Sequence, residues 1–261
     1  MTRRNIVRYR GGKASDALDY LVSESPVEYR LDDVPVAVLM RTPGYDEALG
    51  LGFALTEGIV LGPHEVVRVE AIEGASEGDR YRIILAEGVE VDPEQFRRNF
   101  FTSSSCGVCG KASIDAVRIA AQKMPDGPVV DVSVISDLPK TMSQHQAQFA
   151  ASGSIHAAAA FTPSGELIAI FEDIGRHNAV DKVVGHLAPQ QWPINDAILL
   201  VSGRISFEMV QKAAVAGIPI IAGVSGASDL AVDLGEELHV TVIGFVRDDG
   251  FNVYCGADRI V

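Results

Sequence analysis

The sequence has few cysteines, no long hydrophobic run and no excess of basic residues. Only three of its 261 residues are cysteine, too few for a disulfide framework. No stretch approaches the roughly 18 consecutive apolar residues of a membrane span, and no apolar segment follows the basic start as it would in a signal peptide. The net charge of −13 argues against general nucleic-acid binding. We therefore expect a cytoplasmic protein that binds neither nucleic acid nor membranes.

The composition fits one large soluble domain or two small ones. Of all residues, 47% are hydrophobic and 22% charged, which is ordinary for a globular chain with a core. Hydrophobic periodicity in the first hundred residues predicts strands at 5–10, 26–31 and 34–41 and a helix at 45–59. It also predicts a pair of strands at 66–72 and 80–86, joined by a polar turn at 73–79. A short helix is expected to open at Asp92-Pro93. We therefore place a small α+β domain at 1–100.

Residues 101–261 form the second predicted domain, in which strands alternate with helices. Helices are expected at 111–123 and 137–151. The segments that follow are strands at 155–161, 166–172, 197–202, 218–224 and 238–246, and helices at 176–184, 206–216 and 228–234. This alternation predicts an α/β fold: a mostly parallel sheet with helices on both faces, a three-layer α/β/α domain. The order of its elements is similar to the cytidine-deaminase fold.

Three turns at strand ends carry polar residues suited to an anionic ligand: residues 172–178, 201–206 and 245–250. In an open α/β sheet, ligands bind beyond the carboxyl ends of the strands, and helix N-termini there offer N–H groups to phosphates. Arg204 and Arg247 add guanidinium groups that match phosphate oxygens. Each turn alone is a weak signal, because glycine serves tight turns everywhere. Together they predict one ligand site.

Cys106 and Cys109 lie in the loop TSSSCGVCGK, residues 102–111, and four uses are open for them. A zinc site needs four ligands, or three and water, so His156 or His177 would have to contribute. A redox pair usually follows a strand, and none is predicted before this loop. The two cysteines could also have no function, but exposed free cysteines are a chemical liability for a protein that does not use them. A loop of serine and glycine could instead carry a thiol between two partners.

Zinc-dependent deamination is excluded by the residues at the relevant turns. Deaminases place H-x-E at the start of one helix and P-C-x-x-C at the start of the next. Here the first position reads His177-Asn178-Ala179, which has no glutamate, and the second reads 202–206, which has no cysteine. His156-Ala157-Ala158 lacks the glutamate as well. The fold can be shared, but the deaminase chemistry cannot.

The motifs SSCGVCGK, GSIHAAA, EDIGRHNAVDKVVG, VSGRISFEMVQKAAVAGIPIIAG and GFVRDDGFNVY together resemble the FdhD family, the sulfur carriers required for formate dehydrogenase activity. The resemblance covers nearly the whole chain and is densest over 102–256. It implies a cytoplasmic homodimer whose deaminase-like domain carries a small extra domain. It also implies a sulfurtransferase-type carrier, which takes persulfide sulfur from a cysteine desulfurase. Such a carrier passes the sulfur to the molybdenum cofactor, in its bis(molybdopterin guanine dinucleotide) form, before insertion into formate dehydrogenase.

Matched to the family, Cys106 would hold the persulfide and Cys109 would assist as a relay or by resolving it. The family's cofactor-contacting segment matches Phe245, Val246, Arg247, Asp248, Asp249 and Gly250. We add Gly203, Arg204 and His177 from the other turns, and expect GDP, a fragment of the cofactor, to bind near Arg204 and Arg247. The acids Asp248 and Asp249 depart from what a polyphosphate prefers, which favours backbone N–H contacts there. No metal or cofactor of the protein's own is expected.

Two other functions remain open from the sequence. One is a nucleotide-binding zinc protein that uses the cysteine pair with His156 or His177. The other is a chaperone that binds and delivers the cofactor, with the cysteines incidental. Stoichiometric zinc in the purified protein would favour the zinc protein over a sulfur carrier. A Cys106→Ala variant that still restores formate dehydrogenase activity would favour the chaperone.

Overall fold

A computed structural model describes residues 1–72, 74, 80–91 and 123–261. Three sequence predictions lie outside the described residues: the helix opening at Asp92-Pro93, the cysteine loop at 102–111 with Cys106 and Cys109, and the helix at 111–123. Among the described helices, none has the length and apolar character needed to cross a membrane.

The first part of the chain contains a two-stranded sheet, a four-stranded sheet and one helix. Strands β1 (Thr2–Arg10) and β2 (Lys13–Leu21) pair only with each other. The second sheet has the order β4-β3-β6-β5 and consists of β3 (Ser25–Leu31), β4 (Val34–Arg41), β5 (Val66–Ala71) and β6 (Arg80–Leu85). Helix α1 (Asp46–Thr56) lies between β4 and β5 in sequence. The predicted strand pairs and helix are confirmed, whereas β2 was not predicted.

A six-stranded sheet forms the centre of the remaining chain. Its strands are β7 (His156–Phe161), β8 (Leu167–Asp173), β9 (Ile198–Val201), β10 (Ile220–Gly223), β11 (Thr241–Arg247) and β12 (Gly250–Cys255). Their order is β12-β11-β10-β9-β7-β8. Strands β9, β10 and β11 are parallel, and β7 is antiparallel to both β8 and β9. Strand β8 therefore runs in the same direction as β9, β10 and β11, as a mostly parallel sheet requires.

Helices cover both faces of this sheet. They are α2 (Val132–Gln144), α3 (Ala147–Ser152), α4 (Arg176–Leu187), α5 (Phe207–Ala216) and α6 (Asp229–Leu238). Ile135 and Leu138 of α2 pack with Ala159 and Leu200 on one face. Val183 of α4, Met209 of α5 and Leu234 of α6 belong to the core on the other face. The predicted three layers are thus present in a mixed α/β protein, while the assignment to the cytidine-deaminase fold stays a prediction.

The segment predicted as one helix over 137–151 is two helices. Helix α2 begins earlier, at Val132, because the Asp131 carboxylate accepts a hydrogen bond from the Ser133 amide at 2.7 Å and caps its N-terminus. Residues 145–146 separate α2 from α3. Glu172 then caps α3, since its carboxylate accepts from the amides of Gln148 and Phe149. The break therefore depends on a carboxylate from β8, a contact that no local pattern reveals.

Helices α1 and α4 approach each other unusually closely at two glycines. A Cβ on Gly52 would lie 1.8 Å from the Asp181 carbonyl oxygen, and one on Gly185 would lie 1.9 Å from that of Ala48. Buried residues of the four-stranded sheet, such as Tyr29, share one hydrophobic cluster with Val180 of α4. The first part of the chain thus packs directly on the second. The predicted boundary between domains 1–100 and 101–261 falls outside the described residues and stays a prediction.

Candidate functional site

The three polar turns lie along one edge of the six-stranded sheet. Strands β8, β9, β10 and β11 end there at Asp173, Val201, Gly223 and Arg247. Strand β7 begins at the same edge, because His156 pairs with Asp173. We call this the carboxyl edge. Residues 172–178, 201–206 and 245–250 therefore lie on one side of the fold, and their use as one ligand site stays a prediction.

Asp173 fixes the first turn. Its carboxylate accepts hydrogen bonds from the Gly175 amide at 2.8 Å and the Asn178 side-chain amide at 3.0 Å. It also accepts from the Thr42 amide at 3.1 Å and lies 2.7 Å from Lys182 Nζ. All of these groups are buried or half-buried, so the carboxylate is fully committed to the fold. Its role is to tie the turn before α4 to the end of β4.

His177 connects the first turn to the second. Its Nε2 lies 2.9 Å from Glu208 Oε2, which joins the first turn of α4 to the first turn of α5. The other oxygen, Glu208 Oε1, is buried and has no hydrogen-bond partner among the residues that the structure describes. This carboxylate holds the imidazole in one orientation, as a second hydrogen-bonding group does for a functional histidine.

His156 lies between these two turns and packs against Gly203. A Cβ on Gly203 would be only 3.4 Å from the His156 ring. Burial lowers the pKa of His156 most, and the nearby Arg176 and His177 lower it further, against a smaller opposing effect of the Asp173 carboxylate. His156 is therefore neutral at pH 7. The structure thus brings the predicted residues His177 and Gly203 together around a neutral imidazole.

Arg204 is a cation at the carboxyl edge that is available to a ligand. It is exposed, and no described residue accepts a hydrogen bond from its guanidinium or forms an ion pair with it. The neighbouring helices α4 and α5 have Gly175 and Ser206 as N-caps, and neither cap is closed by a described side chain. Their first backbone N–H groups face the same edge. A free guanidinium beside two uncapped helix N-termini suits phosphate oxygens.

The third turn is joined to the second by backbone hydrogen bonds. The Ile205 amide donates to the Gly226 carbonyl oxygen at 3.1 Å, and the Phe245 amide donates to that of Ser225 at 3.1 Å. Phe245 itself has a φ of 54°, which is uncommon for a bulky residue, and its exposed ring covers Gly226. Residues 203–206, 224–228 and 245–247 therefore form a connected rim.

Arg247 is bonded within the fold, and its expected contact with a phosphate stays a prediction. Its Nη1 donates to the carbonyl oxygens of Val224 and Val246, both at 2.7 Å. The guanidinium therefore links residues of the rim to one another, while the Arg247 side chain as a whole is exposed. Asp248 and Asp249 are exposed in the turn between β11 and β12. Val246 is buried in the core and Gly250 begins β12, so a ligand at this turn would meet mainly backbone groups.

The described cysteine is distinct from the loop pair. Cys255 is buried, its Sγ lies 3.3 Å from the Val240 carbonyl oxygen, and burial raises the pKa of its thiol. It is thus a neutral core residue. The described ranges contain no group of three or more histidine, cysteine, aspartate or glutamate side chains that could hold a metal ion. Cys106 and Cys109 lie outside these ranges, so their predicted roles stay predictions.

A groove of about 650 Å³ lies away from the predicted site, between α1, β5 and α4. Leu51, Val66, His64 and His186 are among its lining residues, and no predicted site residue lines it. The chemistry-bearing side chains lie at the carboxyl edge instead. We therefore assign the candidate site to that edge.

Sequence reasoning missed Glu208 as a site residue, and although it singled out residues 172–178 it assigned no role to Asp173. Glu208 sits in an otherwise apolar helix start, SFEMV, and a buried acid next to a polar turn was the available signal. For Asp173 the available signal was a strand that ends on two acids, Glu172 and Asp173. That signal does not reveal its hydrogen bond with Thr42, which lies 131 positions earlier. Only the folded chain shows that pairing.

Comparisons with known proteins match nearly the whole chain. The model of the FdhD/NarQ family matches residues 22–261. The curated "Sulfur carrier protein FdhD" of Streptomyces coelicolor is 45% identical over 99% of this chain and 95% of the relative. Its namesake from Sulfolobus acidocaldarius is 38% identical over 98% of this chain and 96% of its own length. A crystal structure described as a formate dehydrogenase accessory protein from Desulfotalea psychrophila has the same fold, with a TM-score of 0.80, 21% identity, and coverage of 100% and 99% of the two chains.

Proposed function

Because the chain belongs to the FdhD/NarQ family, we propose that it is a sulfur carrier that serves formate dehydrogenase. The observation that carries this proposal is the pair Cys106 and Cys109 in a chain that aligns almost end to end with curated relatives named as sulfur carriers. Cys255 is buried with a raised thiol pKa, so the loop pair is left as the source of a reactive thiolate. The proposal places the transfer in the cytoplasm, where thiols stay reduced.

In the proposed loading step, the Cys106 thiolate attacks the outer sulfur of a persulfide on a cysteine desulfurase. A sulfur–sulfur bond forms on Cys106, the corresponding bond in the donor breaks, and the donor thiolate leaves. No net oxidation or reduction occurs in this exchange. The carrier then holds a persulfide whose outer sulfur can be delivered elsewhere.

The proposed acceptor is the molybdenum cofactor in its bis(molybdopterin guanine dinucleotide) form, bound as cargo at the carboxyl edge. Arg204 and the uncapped N-termini of α4 and α5 suit its phosphates. The backbone of residues 245–250 and the exposed Phe245 ring would contact the remainder. Arg204, the N-terminus of α5 and Phe245 lie on one connected rim, and the His177–Glu208 contact joins the N-terminus of α4 to it, which supports a single extended ligand.

The proposal is tested by loading the purified full chain with a cysteine desulfurase and cysteine. Intact mass spectrometry is expected to show a gain of one sulfur atom, removable by a thiol reductant and mapped to residues 102–111. The same chain is expected to restore formate dehydrogenase activity in cells that lack their own carrier. Stoichiometric zinc on the loop, with no sulfur gained, would contradict the proposal and support the zinc protein instead.

An Arg204→Ala variant is expected to bind GDP about 10-fold more weakly, since a charged hydrogen bond contributes about 1.5 kcal/mol or more. An Arg247→Ala variant is expected to lose less, because one Arg247 nitrogen is already bonded to the carbonyls of Val224 and Val246. Isothermal titration calorimetry measures both affinities.

The matched control is Arg68→Ala. Arg68 is also an exposed arginine, but it lies on β5 and pairs with Glu70 at 2.7 Å. Its replacement is expected to leave GDP affinity unchanged. Equal GDP affinity in the wild type and in the Arg204→Ala, Arg247→Ala double variant would remove the carboxyl edge as the nucleotide site.

A further inference from the structure

Arg176 is a second unpaired cation at the carboxyl edge, and sequence reasoning assigned it no role. It is the first residue of α4, directly after the first polar turn, and its side chain is half-buried. Within the described ranges, no residue accepts a hydrogen bond from its guanidinium or forms an ion pair with it. Partial burial removes some of the water around a charge, and a partner normally offsets that cost. The unpaired guanidinium therefore points to a partner from outside the described chain.

Arg176 lies against the turn that carries Arg204. A Cβ on Gly203 would be 3.8 Å from Cδ of Arg176 and 3.4 Å from the His156 ring, and Arg204 is the residue that follows Gly203. The missing side chain of Gly203 thus leaves room for the arginine and the imidazole. Neither ring nitrogen of His156 has a hydrogen-bond partner in the part of the chain that the structure describes. We call Arg176, Arg204 and His156 the diphosphate clamp.

The carboxylates of the neighbouring turns are engaged elsewhere. Glu172 caps α3, Asp173 lies 2.7 Å from Lys182 Nζ, and Glu208 lies 2.9 Å from His177 Nε2. The two arginines of the clamp therefore keep an excess of positive charge, although the whole chain carries −13. Guanidinium groups match the oxygens of phosphate in both charge and geometry. The local charge thus favours an anionic ligand with more than one phosphate.

The order of the strands places the clamp in line with the third turn. Along the carboxyl edge the strands follow one another as β11, β10, β9, β7 and β8. The exposed Phe245 ring covers Gly226 after β10, Arg204 follows β9, and His156 begins β7. Neighbouring strands are about 4.8 Å apart, so β10 and β7 are separated by about 10 Å. A nucleoside diphosphate extended along this edge would meet Phe245 first, Arg204 next and Arg176 last.

We propose that Arg176 and His156 bind the phosphate farther from the nucleoside, while Arg204 binds the nearer one, so that the clamp selects nucleoside diphosphates over monophosphates. The placement of the nucleoside at Phe245 rests on the proposed function. A nucleoside monophosphate contacts Arg204 and leaves Arg176 unpaired. The selectivity therefore comes from one residue, Arg176, which the two classes of nucleotide use differently.

His156 couples a proton to this binding step. In the free protein, burial lowers its pKa most, Arg176 and His177 on α4 lower it further, and Asp173 on β8 opposes them to a smaller extent. Glu208 on α5 reaches the ring only through His177, and the turn after β9 adds one more arginine. A phosphate bound at Arg176 places negative charge beside the ring and raises the pKa of His156. A proton is thus taken up between the lowered pKa of the free protein and the raised pKa of the complex, and GDP affinity increases as pH falls through that window.

Isothermal titration calorimetry of the full chain with GDP and with GMP tests the selectivity. The wild type is expected to bind GDP at least about 10-fold more tightly than GMP, because one further charged contact forms. Arg176→Ala is expected to weaken GDP about 10-fold and GMP less than about 3-fold, which removes most of the preference. Arg204→Ala is expected to weaken both nucleotides about 10-fold. The control Arg68→Ala, in the exposed pair with Glu70, is expected to leave both affinities unchanged.

Two further measurements separate binding from folding. Arg176 has no partner in the described ranges, so Arg176→Ala is expected to leave the midpoint of urea denaturation unchanged. Arg176→Lys keeps the charge but not the planar fork, and is expected to recover only part of the preference for GDP. Equal affinity of the wild type for GDP and GMP overturns the inference. So does a ratio of the two affinities that is the same in Arg176→Ala as in the wild type.

Proton uptake is measured by the same calorimetry in buffers of different ionisation enthalpy. The terminal phosphate of GDP titrates near pH 6, as other phosphate monoesters do, so the informative quantity is the difference between the wild type and His156→Gln. The wild type is expected to take up more protons than this variant at about pH 6.5, by up to about one per GDP. Equal uptake by the two proteins overturns the role of His156.

The clamp and the sulfur chemistry fail separately in these experiments. Sulfur loading of the wild type by a cysteine desulfurase reports on the cysteines, whereas the ratio of GDP to GMP affinity reports on the carboxyl edge. Loading without a preference for GDP would overturn the clamp and leave the sulfur carrier intact. A preference for GDP that Arg176→Ala removes, in a chain that gains no sulfur, would support the clamp and contradict the proposed function.

Discussion

A Cys106→Ala variant is expected to gain no sulfur from a cysteine desulfurase and to restore no formate dehydrogenase activity. Only a thiolate can accept the outer persulfide sulfur, so removal of the accepting cysteine stops the reaction at its first step. A Cys109→Ala variant is expected to be loaded but to deliver its sulfur more slowly. Intact mass spectrometry measures loading, and formate dehydrogenase activity in complemented cells measures delivery.

The matched control is Cys255→Ala. Cys255 is the third cysteine of the chain, and its buried thiol has a raised pKa and lies against the Val240 carbonyl. Its removal is expected to leave sulfur loading at the wild-type level. Equal loading of Cys106→Ala and the wild type would contradict the carrier proposal. Restored activity without loading would support a cofactor chaperone instead.

The role of Cys109 can be separated into relay and resolution by the product that remains. If Cys109 resolves the persulfide, its thiolate attacks the inner sulfur on Cys106 and hydrosulfide leaves. The two cysteines then form a disulfide, and their two electrons reduce the transferred sulfur to sulfide. A cellular dithiol would have to restore the pair. A relay leaves no such disulfide, so mass spectrometry under non-reducing conditions after one turnover distinguishes the two.

A Lys212→Met variant is expected to lower the free energy of unfolding by about 3 to 5 kcal/mol, because it leaves buried carboxylates without their cation. Lys212 Nζ lies 2.8 Å from Asp181 Oδ1, 2.9 Å from Glu57 Oε1 and 2.8 Å from Thr56 Oγ1. Burial alone would lower the pKa of Lys212, but the facing carboxylates outweigh burial and raise the pKa above its usual value. This buried group joins α1, α4 and α5.

The control is Arg68→Met, which removes the cation from an exposed ion pair with Glu70 at 2.7 Å. That change is expected to cost less than about 1 kcal/mol. Urea denaturation followed by circular dichroism measures both variants. A further variant combines Asp181→Asn with Lys212→Met. Its loss of unfolding free energy is expected to be smaller than the sum of the losses of the two single variants, because Asp181 no longer leaves an uncompensated buried charge. A loss for Lys212→Met no larger than for Arg68→Met would contradict this account.

Much of the fold was readable from hydrophobic periodicity. The strands β3, β4, β7 to β11 and the helices α1, α4 and α5 all agree with the predicted segments. Such patterns are local, because a buried strand or an amphipathic helix must repeat its apolar residues with its own period. Strand β2 was missed because Asp16 and Asp19 are poor strand formers and only pairing with β1 makes it a strand.

The candidate site was readable in part for a similar reason. Parallel strands end on one side of a sheet, so three polar turns after such strands had to share an edge. The pairing of His177 with Glu208 could not be predicted, since the two residues are 31 positions apart and meet only when α4 and α5 pack. Nor could the use of the Arg247 guanidinium on the Val224 carbonyl, 23 positions earlier.

The amino-acid order by itself determined the family, the alternation of strands and helices, and the edge on which the polar turns lie, because each follows from motifs or periods within short segments. Tertiary structure alone determined which charged side chains form ion pairs within the fold. Asp173 pairs with Lys182, and Asp181 pairs with Lys212, in contacts between elements, whereas Arg204 has no partner within residues 1–72, 74, 80–91 and 123–261. The physical reason is that the sequence gives the charge of a side chain but not its neighbours. Only packing determines whether a charged side chain pairs with another residue or remains available to a ligand.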